Sequence, residues 1–202
     1  MPSVRLATAR RFTLVRAAPD VLLCAPPFTH DESPMPTMYD ASVPTISRAL
    51  QNYIRVLEKG AAHAEAKKIE PSVLIQARLF PDMFPLAKQV QIASDVAKIG
   101  TARLAQAEPP KYEDNEATFP ELVERLRKTI KFLETLKPAQ FDDGSRMVTF
   151  PTQGESKTWP ASRYLYQRVL PNVFFHCTTG YNILRHNGVE IGKGDFLGPV
   201  EG

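Results

Sequence analysis

The sequence predicts an all-α protein, an up-and-down four-helix bundle with a small β-hairpin between its third and fourth helices. Four long stretches carry apolar residues at helical spacing, and proline-containing segments separate them. Between the third and fourth stretches, the pattern changes to one typical of two short strands. Amphipathic helices joined by one long crossover and one hairpin bury their apolar faces against one another, which is the arrangement of a bundle.

The first long helix is predicted from Tyr39 to about Lys68. We interpret Ser42 as its N-cap, with Pro44 tolerated in the first turn and Gly60 as a weak point. Its apolar face consists of Val43, Ile46, Leu50, Tyr53 and Leu57.

A short helix is predicted at Pro71–Arg78, and the second long helix from about Pro85 to Leu104, with Asp82 as a candidate cap. The core face of the second long helix consists of Leu86, Val90, Ala93 and Ala97. Gln89 shares this apolar face, whereas Gln91 and Asp95 are predicted to point away from it.

Thr118 and Glu121 have the spacing of a capping box, and they predict the start of a third long helix that ends before Pro138. The apolar face of this helix consists of Leu122, Leu126, Ile130, Leu133 and Leu136. Its charged residues predict a solvent-exposed face, made of Glu124, Arg125, Arg127, Lys128 and Lys131.

The predicted hairpin pairs Met147–Phe150 with Lys157–Trp159 around a QGES turn. The fourth long helix follows from Tyr164, and Gly188 occupies the position of its C-terminal cap. Pro171 lies inside this pattern and is expected to kink the helix or to start it afresh. The tail after Gly188 is expected to return over the end of the helices, burying Ile191, Phe196 and Leu197.

Three polar residues occupy apolar helix faces. Asn172 and His176 lie one turn apart on the fourth long helix, and Gln89 lies on the second. Each unpaired buried polar group costs about 1–3 kcal/mol, so these side chains need partners. We therefore predict that Gln89, Asn172 and His176 converge in one polar pocket that binds a small-molecule ligand. The alternative is a buried hydrogen-bond network that only fixes the helix register.

Composition and motifs exclude several classes of function. A hydrophobic content of 43% and a charged content of 23% are globular values, and no apolar run is long enough to span a bilayer. The net charge of +3 comes without a basic stripe interleaved with aromatic residues, so nucleic acid is not an expected partner. Two cysteines form no disulfide framework, and we interpret Cys177 as a small buried hydrophobe. No C-x-x-C, GxSxG, P-loop or GxGxxG stretch occurs.

Residues 1–34 differ from the rest of the chain because four arginines precede the first acidic residue, Asp20. We interpret residues 1–34 as a disordered or targeting leader and residues 38–198 as the folded domain. A cytoplasmic location is expected. The alternative is mitochondrial import, because an arginine-rich, acid-poor start is typical of a presequence.

Several motifs together resemble a known family. HCTTGYNILRHNG, IGKGDFLG, YDASVP and FPDMFPLAKQVQIASDVAK are similar to a branch of the DinB/YfiT-like superfamily, catalogued as domain of unknown function nineteen ninety-three. The resemblance runs from about Met38 to Gly198. It implies a four-helix bundle that is often a homodimer.

The resemblance also implies where a metal would lie. Many members of the wider superfamily bind a divalent metal through three histidines, and those positions fall near Gln89 and on Asn172 and His176 in this sequence. Only His176 keeps the histidine, so we expect a degenerate metal site and no cofactor. Zinc or nickel bound through His176 is the alternative.

These observations lead to one functional expectation and two alternatives. We expect a bundle protein that binds a small molecule in a pocket between its helices. The first alternative is a metal-dependent transferase or hydrolase centred on His176. The second is a metal-free enzyme that uses His176 as a general acid or base.

Overall fold

The structure is a computed structural model that describes residues 36–200. The leader predicted at residues 1–34 lies outside the described residues. The described chain is mostly helical, with one two-stranded antiparallel hairpin. Its elements are α1 (Met38–Lys67), α2 (Pro71–Ile75), α3 (Leu86–Ala105), α4 (Phe119–Thr135), a 3₁₀ turn (Pro138–Gln140), β1 (Met147–Thr152), β2 (Glu155–Pro160), α5 (Ala161–Tyr164), a π turn (Leu165–Val169), α6 (Leu170–His186) and α7 (Lys193–Leu197).

The four long helices share one hydrophobic core. Helix α1 packs against α4 and α6, and helix α3 packs against the same two helices. The predicted apolar faces of α1 and α3 are buried in full, at Val43, Ile46, Leu50, Tyr53, Leu57, Leu86, Val90, Ala93 and Ala97. None of the helices in residues 36–200 is both long and apolar enough to cross a membrane.

Helix α1 begins one turn earlier than the predicted cap at Ser42. Thr37 is the N-cap, because its hydroxyl accepts from the Asp40 N–H while the Asp40 carboxylate accepts from the Thr37 N–H. Ser42 is instead buried inside the helix, where it donates to the Met38 carbonyl at 2.6 Å. Because the helix starts at Met38, Pro44 lies inside it and not in the predicted first turn. Pro44 has no N–H to donate to the Asp40 carbonyl, and the Thr45 hydroxyl donates to that carbonyl at 3.2 Å instead.

The predicted start of α3 at Pro85 is confirmed, but Asp82 does not cap the helix, whose N-cap is Pro85 itself. The capping box of Thr118 and Glu121 is confirmed at the start of α4. The hairpin is longer than predicted, because Gln153 and Gly154 alone make its turn, both with positive φ.

The last long helix is interrupted as Pro171 predicts. A π turn precedes α6, and Pro171 lies in the first turn of α6, where its missing N–H is tolerated. The helix ends at the predicted glycine: Gly188 has a φ of 88°, and the Val189 N–H donates to the Leu184 carbonyl at 3.1 Å.

The tail returns along α1. The Asn52 amide donates to the Phe196 carbonyl at 3.1 Å, and Lys59 forms an ion pair with Asp195 at 2.6 Å. Ile191 is buried as predicted. The prediction for Leu197 is wrong, because its side chain stays 53% exposed on the outer side of α7.

The solvent-exposed face predicted for α4 is wrong at Arg125, whose side chain is 2% exposed. Its guanidinium forms ion pairs with Asp95 of α3 at 2.8 Å and with Asp114 and Glu116 of the preceding loop at 3.0 and 2.9 Å. Gln91, also predicted to point outwards, is buried and donates to Glu116 at 2.9 Å. The loop 106–118 covers this side of α3 and α4, which periodicity within one helix does not reveal.

We predict that Arg125→Ala lowers the free energy of unfolding by about 3 kcal/mol, because it removes the buried cation that three carboxylates share. Asp95 and Asp114 each keep a lysine partner, but Glu116 loses its ion pair. Two of the three carboxylates are about one-third exposed, so the loss should stay at the lower end of the range for broken buried ion pairs. Urea unfolding measures it. The control is Arg127→Ala, whose ion pair with Glu58 is exposed and should contribute less than about 1 kcal/mol. Equal losses in the two variants would contradict a buried role for Arg125.

Candidate functional site

Gln89 and His176 meet at the interface between α3 and α6. The Nδ1 atom of His176 lies 2.7 Å from Oε1 of Gln89. Both side chains are nearly excluded from solvent, with exposed fractions of 2% for Gln89 and 8% for His176. The two polar positions on opposing apolar faces are therefore hydrogen-bonded to each other.

A second hydrogen bond determines which atom of the Gln89 amide faces His176. The Nε2 atom of Gln89 donates to the Phe84 carbonyl at 3.0 Å, so the amide oxygen faces the imidazole and accepts from it. His176 therefore carries its proton on Nδ1, which leaves the lone pair on Nε2. The ring of Phe175 stands edge-on to the imidazole, with 5.1 Å between ring centroids.

Burial lowers the pKa of His176 to about 4. Desolvation disfavours the imidazolium, so the ring is neutral near pH 7. A base with so low a pKa accepts protons weakly at neutral pH, well away from the range in which general catalysis is most efficient. The pair is therefore suited to neutral hydrogen bonding.

Asn172 lies apart from the pair formed by Gln89 and His176. It is half-buried and lines a groove to which neither of those residues contributes. The structure thus brings two of the three predicted residues together and places the third one helical turn along α6, at the edge of a separate cavity.

This cavity, which we call the α3 groove, has a volume of about 210 Å³ and lies between α3, β1 and the π turn. Its polar lining residues are Asp95, Arg103, Tyr164, Arg168 and Asn172. Its apolar lining includes Val96, Ile99, Phe150 and Val169.

The sequence analysis did not predict the α3 groove. Its α3 residues lie on a flank of the apolar face, and Phe150 comes from the hairpin, so only the tertiary fold joins them. One signal was available. Tyr164, Arg168 and Asn172 follow one another at four-residue spacing, which places them on one side of a helix.

The residues present do not fit the metal that the resemblance implies. Gln89 and Asn172 offer amides, which are weak ligands beside imidazole, thiolate or carboxylate. In the described part of the chain, no group of three or more histidine, cysteine, aspartate or glutamate residues could hold a metal ion. We therefore derive no chemistry from a bound metal.

Cys177 adds no nucleophile to the site. Its side chain is buried, and burial raises the pKa of the thiol to about 12. The thiolate is the nucleophilic form, so this cysteine is chemically inert at neutral pH. The prediction of a buried small hydrophobe is confirmed.

A family model described as "Domain of unknown function (DUF1993)" matches residues 38–197. The chain belongs to this family. The crystal structure of a DinB family member protein from Shewanella denitrificans is 40% identical and superposes with a TM-score of 0.75, covering 80% of this chain and 92% of that chain. No curated protein matches the chain.

The resemblance seen in the sequence motifs is thus confirmed: this is a DinB-like DUF1993 protein. Neither description names an activity, a ligand or a metal.

We predict that His176→Leu lowers the free energy of unfolding by about 1–3 kcal/mol at neutral pH, because it leaves Oε1 of Gln89 unpaired. The loss should shrink in acid. The pKa of His176 is about 4 in the folded chain and 6.5 in the reference state, so only the unfolded chain gains a proton between these values. The free energy of unfolding of the wild type therefore falls by up to about 1.4 kcal/mol per pH unit between pH 6.5 and about 4. The variant lacks this pH-dependent contribution.

Urea unfolding at several pH values measures the difference between wild type and variant. His186→Leu, at an exposed position near the end of the same helix, is the matched control and should follow the wild type. A difference between His176→Leu and wild type that stays constant across this pH range would contradict the buried neutral imidazole.

Proposed function

We propose that this DUF1993 protein binds a small molecule, without a metal, in the α3 groove. The proposal rests on the groove itself, a concavity whose lining combines apolar residues with several polar side chains. Ligand sites commonly combine these two properties. At about 210 Å³, the α3 groove suits a ligand smaller than a typical drug molecule.

We further propose that the four long helices form the up-and-down bundle expected from the sequence. The packing of α1 and α3 against both α4 and α6 supports this arrangement. At the proposed site α3 and the last long helix run in opposite directions, because Gln89 contacts His176 while Gly100 lies against Val169. Functional sites in bundles lie between facing helices, as this groove does.

In this proposal, Gln89 and His176 are what remains of a superfamily metal site. Their hydrogen bond stabilises the helix register beside the groove. Because the amides of Gln89 and Asn172 are weak metal ligands, these residues give little support to a metal-dependent transferase or hydrolase centred on His176. The low pKa of His176 gives equally little support to a metal-free acid–base enzyme.

We also propose that the protein is a cytoplasmic homodimer, as the resemblance and the sequence predict. Two exposed phenylalanines support self-association: Phe84, whose carbonyl accepts from Gln89, and Phe175, which stands against His176. Their exposed fractions are 55% and 57%, and large exposed apolar side chains often mark interaction surfaces.

Elemental analysis tests the absence of a metal. We expect purified protein to hold far less than one zinc or nickel per chain, and its melting temperature to be unchanged by added zinc. A stoichiometric metal in the wild type, removed by a chelator with a fall in melting temperature, would contradict the proposal.

Light scattering tests the homodimer. We expect the wild type at micromolar concentration to have twice the chain mass, and Phe175→Asp to shift it towards the monomer because a charge cannot be buried cheaply. Leu197→Asp, on the exposed side of α7, is the matched control and should stay dimeric. A wild-type monomer mass would rule out the homodimer.

A further inference from the structure

We propose that the ligand of the α3 groove is a small organic anion, with a carboxylate or phosphate group held by Arg103 and Arg168 and an apolar body against Val96 and Ile99. This inference rests on the proposed binding function and names the chemical class of its ligand. It follows from the charges, the hydrogen-bond donors and the shape of the groove.

The charge balance of the groove is positive. Asp95 is its acidic lining residue, and that carboxylate is already neutralised by Lys98 at 2.7 Å and by Arg125 at 2.8 Å. Within residues 36–200, neither Arg103 nor Arg168 has a carboxylate within ion-pair distance. The two guanidinium groups therefore face the groove without a compensating anion from the described chain.

Both arginines are held in place. Arg103 donates to the Tyr164 hydroxyl at 3.1 Å, and the guanidinium of Arg168 lies over the Phe150 ring, 5.6 Å from its centroid. Ordered side chains lose less conformational entropy when a ligand binds. A planar guanidinium also matches the geometry of a carboxylate or a phosphate, which it can bind through two hydrogen bonds.

Tyr164 and Asn172 extend the donor set. The hydroxyl of Tyr164, a residue that is 3% exposed, accepts from Arg103 and keeps its own proton as a donor. The Asn172 carboxamide, which also lines the groove, offers two further N–H donors. An anion accepts hydrogen bonds from donors of all these kinds.

The π turn contributes two residues to the groove lining, Arg168 and Val169. π-Bulges inside helices frequently occur at functional sites.

The apolar lining residues of the groove indicate the chemistry of the ligand beyond its anionic group. Val96, Ile99 and Pro151 keep hydrocarbon surface exposed in the groove, whereas Phe150 and Val169 are almost fully buried. An inorganic anion would leave this surface wet, whereas an anion with a compact apolar body would cover it. The ligand we infer is therefore amphipathic, such as a short-chain or aromatic carboxylate, or a phosphate monoester of similar size.

Titration of the full chain with four probes tests the inference. Binding is followed by the NMR shifts of the backbone amides and the arginine side chains. Benzoate and phenyl phosphate carry an anion and an apolar body, benzamide is the neutral counterpart of benzoate, and inorganic phosphate lacks the apolar body. We expect the two aromatic anions to shift groove resonances and to bind at least about tenfold more tightly than benzamide, because charge-assisted hydrogen bonds are the stronger kind. The stronger of the two aromatic anions identifies carboxylate or phosphate as the preferred group, and inorganic phosphate should bind most weakly among the anions.

Substitution of the arginines locates the site. We expect Arg103→Gln and Arg168→Gln each to weaken binding of the aromatic anions at least about tenfold, and Arg168→Lys to weaken it less because it keeps the charge. Arg163→Gln is the matched control: Arg163 is exposed, stacks on Trp159 and does not line the groove, so binding should be unchanged. The melting temperature of each variant checks that it is folded.

The outcomes separate the inference from the function on which it rests. Shifts of groove resonances by benzamide and benzoate with equal affinity would overturn the anion specificity and leave small-molecule binding intact. Equal losses in Arg163→Gln and Arg168→Gln would likewise overturn the assignment to the groove. Failure of every probe to shift groove resonances at its highest soluble concentration would overturn both.

Discussion

The close approach of α3 to the last long helix is the constraint on which the site depends. A methyl group at Gly100 would lie 2.7 Å from Cγ1 of Val169, so only glycine allows α3 to come this close to the π turn. A shift of α3 on the order of one helical rise, about 1.5 Å, would misalign the hydrogen bond between Gln89 and His176. The same contact forms the floor of the α3 groove, so the register of one helix pair sets both features.

The other side of α3 is held by charge. Arg125 joins α3, α4 and the loop 106–118 through three carboxylates, while Tyr112 of that loop lies under the cations of Lys98 and Arg125. Asp95 belongs to this cluster and also lines the α3 groove. Because Lys98 and Arg125 neutralise Asp95, the groove keeps the positive charge of Arg103 and Arg168. A structural ion cluster thus affects the electrostatics of the candidate site.

The pair formed by Gln89 and His176 is a neutral polar contact buried between two helices. A buried imidazole needs a partner, and an amide oxygen supplies one without adding a charge. Desolvation then keeps the imidazole neutral, as the lowered pKa of His176 indicates. A neutral pair suits a stable helix interface, and the polar side chains of the α3 groove lie about one to four turns farther along the two helices.

The sequence by itself determined the helices, their main boundaries, the hairpin, the glycine cap at Gly188 and the meeting of Gln89 with His176. These features depend on periodicity, capping and turn chemistry, which are local, or on two polar residues on opposing apolar faces. Only the tertiary structure decided that Arg125 is buried, that Asn172 lies in a separate groove, and that Arg103, Arg168 and Phe150 share it. Those outcomes depend on a loop that folds back and on contacts among α3, the hairpin and the last long helix, which are far apart in sequence. Spacing within one helix groups Tyr164, Arg168 and Asn172 but does not reveal these contacts.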